Sequence, residues 1–277
     1  GAATWSASTH RSVLHCWTPG PCAAHWTNER AGKIAPLPLE TLLQAIYPFL
    51  ATVAAYLLGS LSFAVIVSRL MGLKDPRTFG SKNPGATNVL RSGSKAAAVV
   101  TLLLDALKGW LPVVLVRWFG KPYGLEDGTV ALVGLAAFLG HLWPVFFRFQ
   151  GGKGVATAAG ALMALQPGLG LATLLTWLII AAFFRYSSLA SIVSALFAPF
   201  YELLIWGFES SFFAIAAMSL LLIWRHEGNI RNLFAGTESK IGQKSAPAGA
   251  AAAAAHAHPP HGAHGHAHPK HKKGHHR

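Results

Sequence analysis

The sequence predicts an all-α integral membrane protein of about seven transmembrane helices, some of them short, with three polar loops forming a site on the cytoplasmic face. Three observations carry this. First, 52% of the 277 residues are hydrophobic and only 12% are charged, about half the charged share of an ordinary soluble domain; mean hydropathy is +0.40. Second, the apolar residues form long blocks, at 42–58, 96–116, 130–147 and 169–184, close to the roughly 17–25 residues that a helix needs to cross a bilayer. These blocks lack the polar face that a soluble helix keeps. Third, Lys and Arg fall between the blocks rather than on them.

The elements follow in chain order. Residues 1–40 are rich in Trp, Thr, Pro, Ala and His without an apolar period. They show no basic stretch leading into an apolar one, so they do not read as a signal peptide, and a poorly ordered extension is expected. Cys16 and Cys22 match no standard zinc spacing. Residues 41–244 form the membrane domain, with segments expected at 42–62, 95–118, 129–147, 154–166, 168–184, 188–206 and 211–225. The fourth is short and is parted from the fifth only by Gln166-Pro167-Gly168. Pro removes a donor and Gly relaxes the chain, so a helical hairpin is expected there; one kinked helix over 154–184 would give six crossings instead. Residues 245–277, an alanine run followed by His, Pro, Lys and Gly, cannot bury a core and are expected to be disordered.

Charge position favours seven crossings. Arg69, Lys74, Arg77, Lys82, Arg91 and Lys95 lie in the first connection, Arg148 and Lys153 follow the third segment, and Arg225, Arg231, Lys240 and Lys244 follow the last. The positive-inside rule puts all three in the cytoplasm, which requires seven crossings and an outside N-terminus. The net charge of +13 therefore reads as basic loops facing anionic headgroups, not as a nucleic-acid surface.

Each of these connections holds Gly, Asn, Ser and cations, which are costly beside lipid and so mark a buried polar site. The first runs from Gly59-Ser60 through Arg69 to Gly80-Ser81-Lys82-Asn83-Pro84-Gly85-Ala86-Thr87-Asn88, a loop able to offer backbone N–H groups to phosphate. The second is Gly140-His141 followed by Gly151-Gly152-Lys153-Gly154-Val155-Ala156-Thr157 at a helix start, where glycine amides, a lysine and the helix dipole make an anion site; it is not a Walker A loop. The third is Arg225-His226-Glu227-Gly228-Asn229-Ile230-Arg231 with Gly236, Glu238 and Lys240. His226 and Asn229 share a helix face, and His226 reads equally as a proton acceptor or as a helix C-cap. Within the second segment, Asp105 and Lys108 are spaced to neutralise each other, although Lys108 also stands where it can reach an anion.

Taken together, these motifs resemble the bacterial integral membrane glycerol-3-phosphate acyltransferases that use acyl phosphate. The resemblance covers about residues 42–244. It implies acyl transfer from acyl phosphate to the sn-1 hydroxyl of glycerol 3-phosphate, giving 1-acylglycerol 3-phosphate and phosphate, in the cytoplasmic membrane, with no cofactor and no metal. An enzyme that makes acyl phosphate is the implied partner, beside membrane lipids. The His-x-x-x-x-Asp motif of acyltransferases that use CoA or carrier-protein donors is absent, since Leu70, Val100 and Pro122 stand five residues before Asp75, Asp105 and Asp127.

On this reading Gly151, Gly152, Lys153 and Gly154 hold the acyl-phosphate head, helped by Ser60 and Lys108. Arg69, Ser81, Lys82, Asn83 and Asn88 serve glycerol 3-phosphate, with Lys240 also binding substrate. His226 orients or deprotonates the attacking hydroxyl, and Asn229 and Glu238 hold it. The alternative is a transporter of a phosphorylated or anionic solute, which also uses broken helices with glycine-rich ends. Polar clusters confined to one face, and the lack of an inverted repeat, stand against it.

Overall fold

A computed structural model describes residues 39–243, so the expectations for residues 1–38 and for the tail from 244 onward lie outside the described residues. The described residues form ten α-helices, with no β-strand among them. The helices are α1 (Leu39–Gly59), α2 (Phe63–Leu70), α3 (Ala86–Leu90), α4 (Lys95–Phe119), α5 (Asp127–Leu142), α6 (Val155–Leu165), α7 (Pro167–Phe184), α8 (Ser187–Ile205), α9 (Ser211–Arg225) and α10 (Glu227–Phe234).

The seven expected apolar segments are present to within a few residues, but they differ in reach. Helices α4, α7 and α8, and the run Asp127–Phe147, are long and apolar enough to cross a membrane. Ile46–Gly59 and Phe63–Leu70 reach that length only as a pair bent by 41°, so α2 falls between the expected segment 42–62 and the first basic connection. Helices α6 and α9 have 11 and 15 residues. At 1.5 Å per residue α6 covers ~16 Å, about half of the ~30 Å hydrocarbon core.

Two glycine seams draw the helices together. A Cβ on Gly109 of α4 would lie 2.1 Å from Thr157 O, and one on Gly160 of α6 would lie 2.0 Å from Ala106 O. Gly59 and Gly140 do the same for α1 and α5, at 2.1 Å from Ala137 O and 2.2 Å from Tyr56 O. Without a hydrophobic drive between helices in lipid, such close backbone packing replaces it. The core around Phe138, Leu142, Leu162, Leu169 and Ile215 fills in beside these seams.

The chain reverses between α6 and α7. Gln166 is extended (φ −143°, ψ 103°), and a Cβ on Gly170 would lie 2.4 Å from Met163 Cα. This is the hairpin, not the kinked helix. Arg117, at the end of α4, donates from Nη1 to Ala164 O at 2.8 Å and to Leu165 O. It thus satisfies carbonyls that the end of α6 leaves without partners, and α4 and α6 run parallel. Tyr56 Oη donates to Trp143 O at 2.7 Å, which puts the ends of α1 and α5 together. The starts of α4, α6 and α8 and the ends of α1, α5, α7 and α9 consequently share one pole, where all three polar connections meet.

Candidate active site

At that pole the backbone is shaped by side chains from other elements. Asn88 staples the first loop: its Nδ2 donates to Pro76 O at 2.6 Å and to Phe79 O at 3.1 Å, and its Oδ1 accepts from Ser81 N at 3.1 Å. Asp75 is bridged by Arg77, which holds its carboxyl below the usual range. The glycine loop is held from both sides. Gly152 N donates to His141 O at 3.1 Å, and Arg225 Nη2 donates to Gly151 O and Gly152 O, each at 3.1 Å. Gly154 closes it at φ +80°, where a Cβ would strike the Phe138 ring at 2.3 Å. The next amides open α6 and have no intrahelical partner, the setting of an anion site.

A polar ladder crosses the pole. The Lys153 ammonium donates to Asn229 Oδ1. Asn229 Nδ2 donates to Glu238 Oε1 at 2.7 Å, and Ser188 Oγ donates to the same oxygen at 2.7 Å. Beside it, Arg91 donates to Ser239 Oγ. Burial pulls Lys153 down to about 8, with Glu238 opposing and Arg225 and Arg91 adding to the fall. His226 is buried, with Nδ1 2.8 Å from Leu222 O. A carbonyl only accepts, so Nδ1 carries the proton and Nε2 presents a lone pair. Burial, then the charge of Lys153, lowers His226 to about 4, and the ring is neutral at physiological pH.

Two cavities meet at Lys153. One, of about 670 Å³, has a polar head including Asn83, Lys153, His226, Asn229 and Glu238, and an apolar body between α4, α6, α7, α8 and α9. The other, of about 390 Å³, is a polar bowl lined by Ser81, Lys82, Asn83, Gly151, Lys153, Arg225, Gly228, Asn229 and Asn232.

Of the residues singled out in the sequence, Ser81, Lys82, Asn83, Asn88, Gly151, Lys153, Gly154, His226, Asn229 and Glu238 line one or both cavities. Five line neither. Ser60 is fully buried and donates to Tyr56 O at 2.8 Å. Lys108 is 2% exposed, 2.8 Å from Asp105 Oδ1, and donates to Leu61 O at 2.7 Å. Gly152 packs under the His141 ring. Arg69 and Lys240 are exposed, Lys240 over the Tyr186 ring. Lys108 and Asp105 form a buried ion pair inside the bundle. His141 Nδ1 lies 3.6 Å from the same carboxylate and 3.0 Å from Thr157 Oγ1, which itself donates to Asp105 O at 2.9 Å.

Sequence reasoning missed Ser188, Arg91 and the loop-holding role of Arg225. Arg225 carried a signal, a second cation beside His226. Ser188 carried none, being one serine at a helix start. Among the described residues, no three His, Cys, Asp or Glu side chains gather as a metal site.

A family model for glycerol-3-phosphate acyltransferase matches residues 49–236. The glycerol-3-phosphate acyltransferase of Albidiferax ferrireducens is 66% identical over 208 residues, 73% of this chain and 93% of that protein. That of Ralstonia nicotianae is 67% identical over 195 residues, 70% and 94% of the two chains. Among solved structures, PlsY (YgiH), an integral membrane glycerol 3-phosphate acyltransferase in its glycerol 3-phosphate form, is similar with TM-score 0.66 and 39% identity, over 70% of this chain and 96% of that one. Its lysophosphatidic acid form gives TM-score 0.64 and 39% identity, over 70% and 95%.

Proposed function

The chain belongs to the glycerol-3-phosphate acyltransferase family, and on that premise we propose that it moves an acyl group from acyl phosphate to the sn-1 hydroxyl of glycerol 3-phosphate. The observation that carries this is the junction at Lys153: an apolar cavity and a polar bowl share this one cation. A donor with a hydrocarbon tail and an acceptor that is polar throughout need such a pair of spaces with their reacting ends together.

The hydroxyl oxygen forms a bond to the acyl carbonyl carbon, the bond from that carbon to the phosphate oxygen breaks, and the hydroxyl proton leaves with the departing phosphate. Phosphate is already a good leaving group, so positioning and charge stabilisation supply most of the catalysis. Lys153, Gly151, Gly154 and the first amides of α6 take the donor phosphate. Ser81, Lys82, Asn83 and Asn229 take glycerol 3-phosphate in the bowl. His226 accepts a hydrogen bond from a glycerol hydroxyl, while Glu238 and Ser188 fix Asn229. Ser60, Lys108 and Gly152 act by holding the helices and loop that carry these groups.

The pole faces the cytoplasm of a bacterial inner membrane, where an enzyme that makes acyl phosphate supplies the donor. Charge bias supports this orientation. A cysteine at position 92 or 237 should resist impermeant labelling from outside; labelling there reverses the topology. The transporter reading gains no support from a polar lining gathered at one pole. The deciding experiment is phosphate release by purified protein with both substrates. Turnover is expected with acyl phosphate and glycerol 3-phosphate together, and not with acyl-CoA or acyl carrier protein. Turnover with those donors in its place overturns the donor assignment.

A further inference from the structure

The larger cavity runs along the helices, not across them. Its lining descends α8 from Ser187 through Ser191 and Ser194 to Ala198, and α9 at matching levels from Leu222 to Ile215. Nothing larger than a hydroxymethyl group stands at those α8 positions. Ala198 is 1% exposed and Ile215 fully buried. One turn further down α8, Tyr201 reaches across to Thr176 of α7, Oη to Oγ1 at 3.0 Å, and does not line the cavity.

We propose that Ser194 and Ala198 set the acyl-chain length this enzyme accepts, Ala198 forming the floor on which the chain end rests. This builds on the acyl-donor reading above. From Ser187 to Ala198 α8 advances ~16 Å, about the depth of one leaflet's hydrocarbon, half of a ~30 Å core. Carbon–carbon bonds of ~1.5 Å at ~111° advance ~1.25 Å each, so ~13 chain carbons fit above Ala198 and ~8 above Ser194. A larger side chain at either level raises the floor and removes room for the methylenes that reached past it, and each methylene kept from burial is worth about fourfold in binding.

The test uses the full chain in nanodiscs with octanoyl, dodecanoyl and hexadecanoyl phosphate, reading kcat/KM at each length. Ala198→Leu raises the floor by about two methylenes and is expected to lower the dodecanoyl-to-octanoyl ratio about tenfold, because a chain of about 12 carbons reaches that floor and one of about 8 does not. Ser194→Leu, higher in the cavity, is expected to lower the same ratio further, on the order of 10²-fold. Ser194 is only half-buried, so this variant carries the test if leucine at the tighter Ala198 site prevents folding. If both variants keep the unmodified profile, because long chains spill sideways into lipid, or if they lose all lengths by one factor, the proposal is overturned. If the unmodified chain turns over no acyl phosphate of any length, the donor reading fails first and takes this proposal with it.

Discussion

Lys153 and Lys108 are two cations beside glycines in the same bundle, and their surroundings give them opposite work. Lys108 is closed in by Asp105 and by Leu61 O, inside the α4–α6 seam, and lines no cavity. Lys153 has an uncharged amide oxygen for its partner and lines both cavities. A buried cation already neutralised by a carboxylate holds structure together. A half-buried cation without one, facing two cavities, is a site for an anion that arrives later.

The sharpest way to break this contrast is to remove each charge. Lys153→Ala should lower turnover about 10²–10³-fold, the usual loss for one preorganised donor at developing charge, with an unchanged thermal midpoint in detergent. Near-normal turnover would remove the anion site from the α6 start. Lys108→Met should act on folding instead. It leaves Asp105 buried without its cation, a loss of about 3–5 kcal/mol, read as a fall in thermal midpoint. Asp105→Asn with Lys108→Met should recover much of that loss, because the pair is removed together. If Lys108→Met abolished turnover with an unchanged midpoint, the division between the two lysines would fail.

The contrast extends to pH. Lys153 titrates at about 8 because burial disfavours its charge. The protonated form binds phosphate, so kcat/KM, which reports the free enzyme, should fall about tenfold per pH unit above that value. Bound dianion favours the charged form, so the fall in kcat should begin at higher pH. Lys153→Arg, whose guanidinium stays charged, should lose this alkaline fall even at reduced activity. Persistence of the fall in that variant would assign it to another group.

The segments and the three clusters were legible in the sequence because lipid forces apolar residues into long runs and leaves polar ones little room elsewhere. The α6–α7 reversal was legible in Gln166-Pro167-Gly168. The partition of the polar residues was not. Lys108 and Lys153 look alike as letters, and only the seam through Gly109 and Gly160 decides that the first is enclosed. Ser60 next to Gly59 likewise reads as a site serine until the α1–α5 approach turns its hydroxyl onto Tyr56 O. The bend that makes α2 was hidden for a related reason: Phe63–Leu70 is apolar enough to continue a span, and Gly59-Ser60 at the break read as the start of a polar cluster.

The smallest expected effect concerns His226, which stands between the two kinds of group: buried like Lys108, yet lining a cavity like Lys153. With Nδ1 donating to Leu222 O and a pKa of about 4, its Nε2 is a weak base and an available acceptor. A dianionic phosphate has no proton to give it, so its partner is a hydroxyl of glycerol 3-phosphate. A neutral hydrogen bond contributes ~1 kcal/mol. His226→Ala should therefore raise KM for glycerol 3-phosphate about three- to tenfold, with little change in kcat, because the contact exists before and during transfer. His226→Gln, which keeps an acceptor oxygen, should recover part of the loss. A general base would behave differently, lowering kcat about 10²–10⁴-fold and imposing an acid limb. The pKa fixes where that limb would lie. Protonation of a ring lowered to about 4 leaves the range from pH 5 to 8 flat for this group, so a limb near the ordinary histidine value that vanishes in His226→Gln would mean that the ring titrates there and not near 4. A large fall in kcat at unchanged KM, repeated across that pH range, would move His226 from holding the hydroxyl to taking its proton.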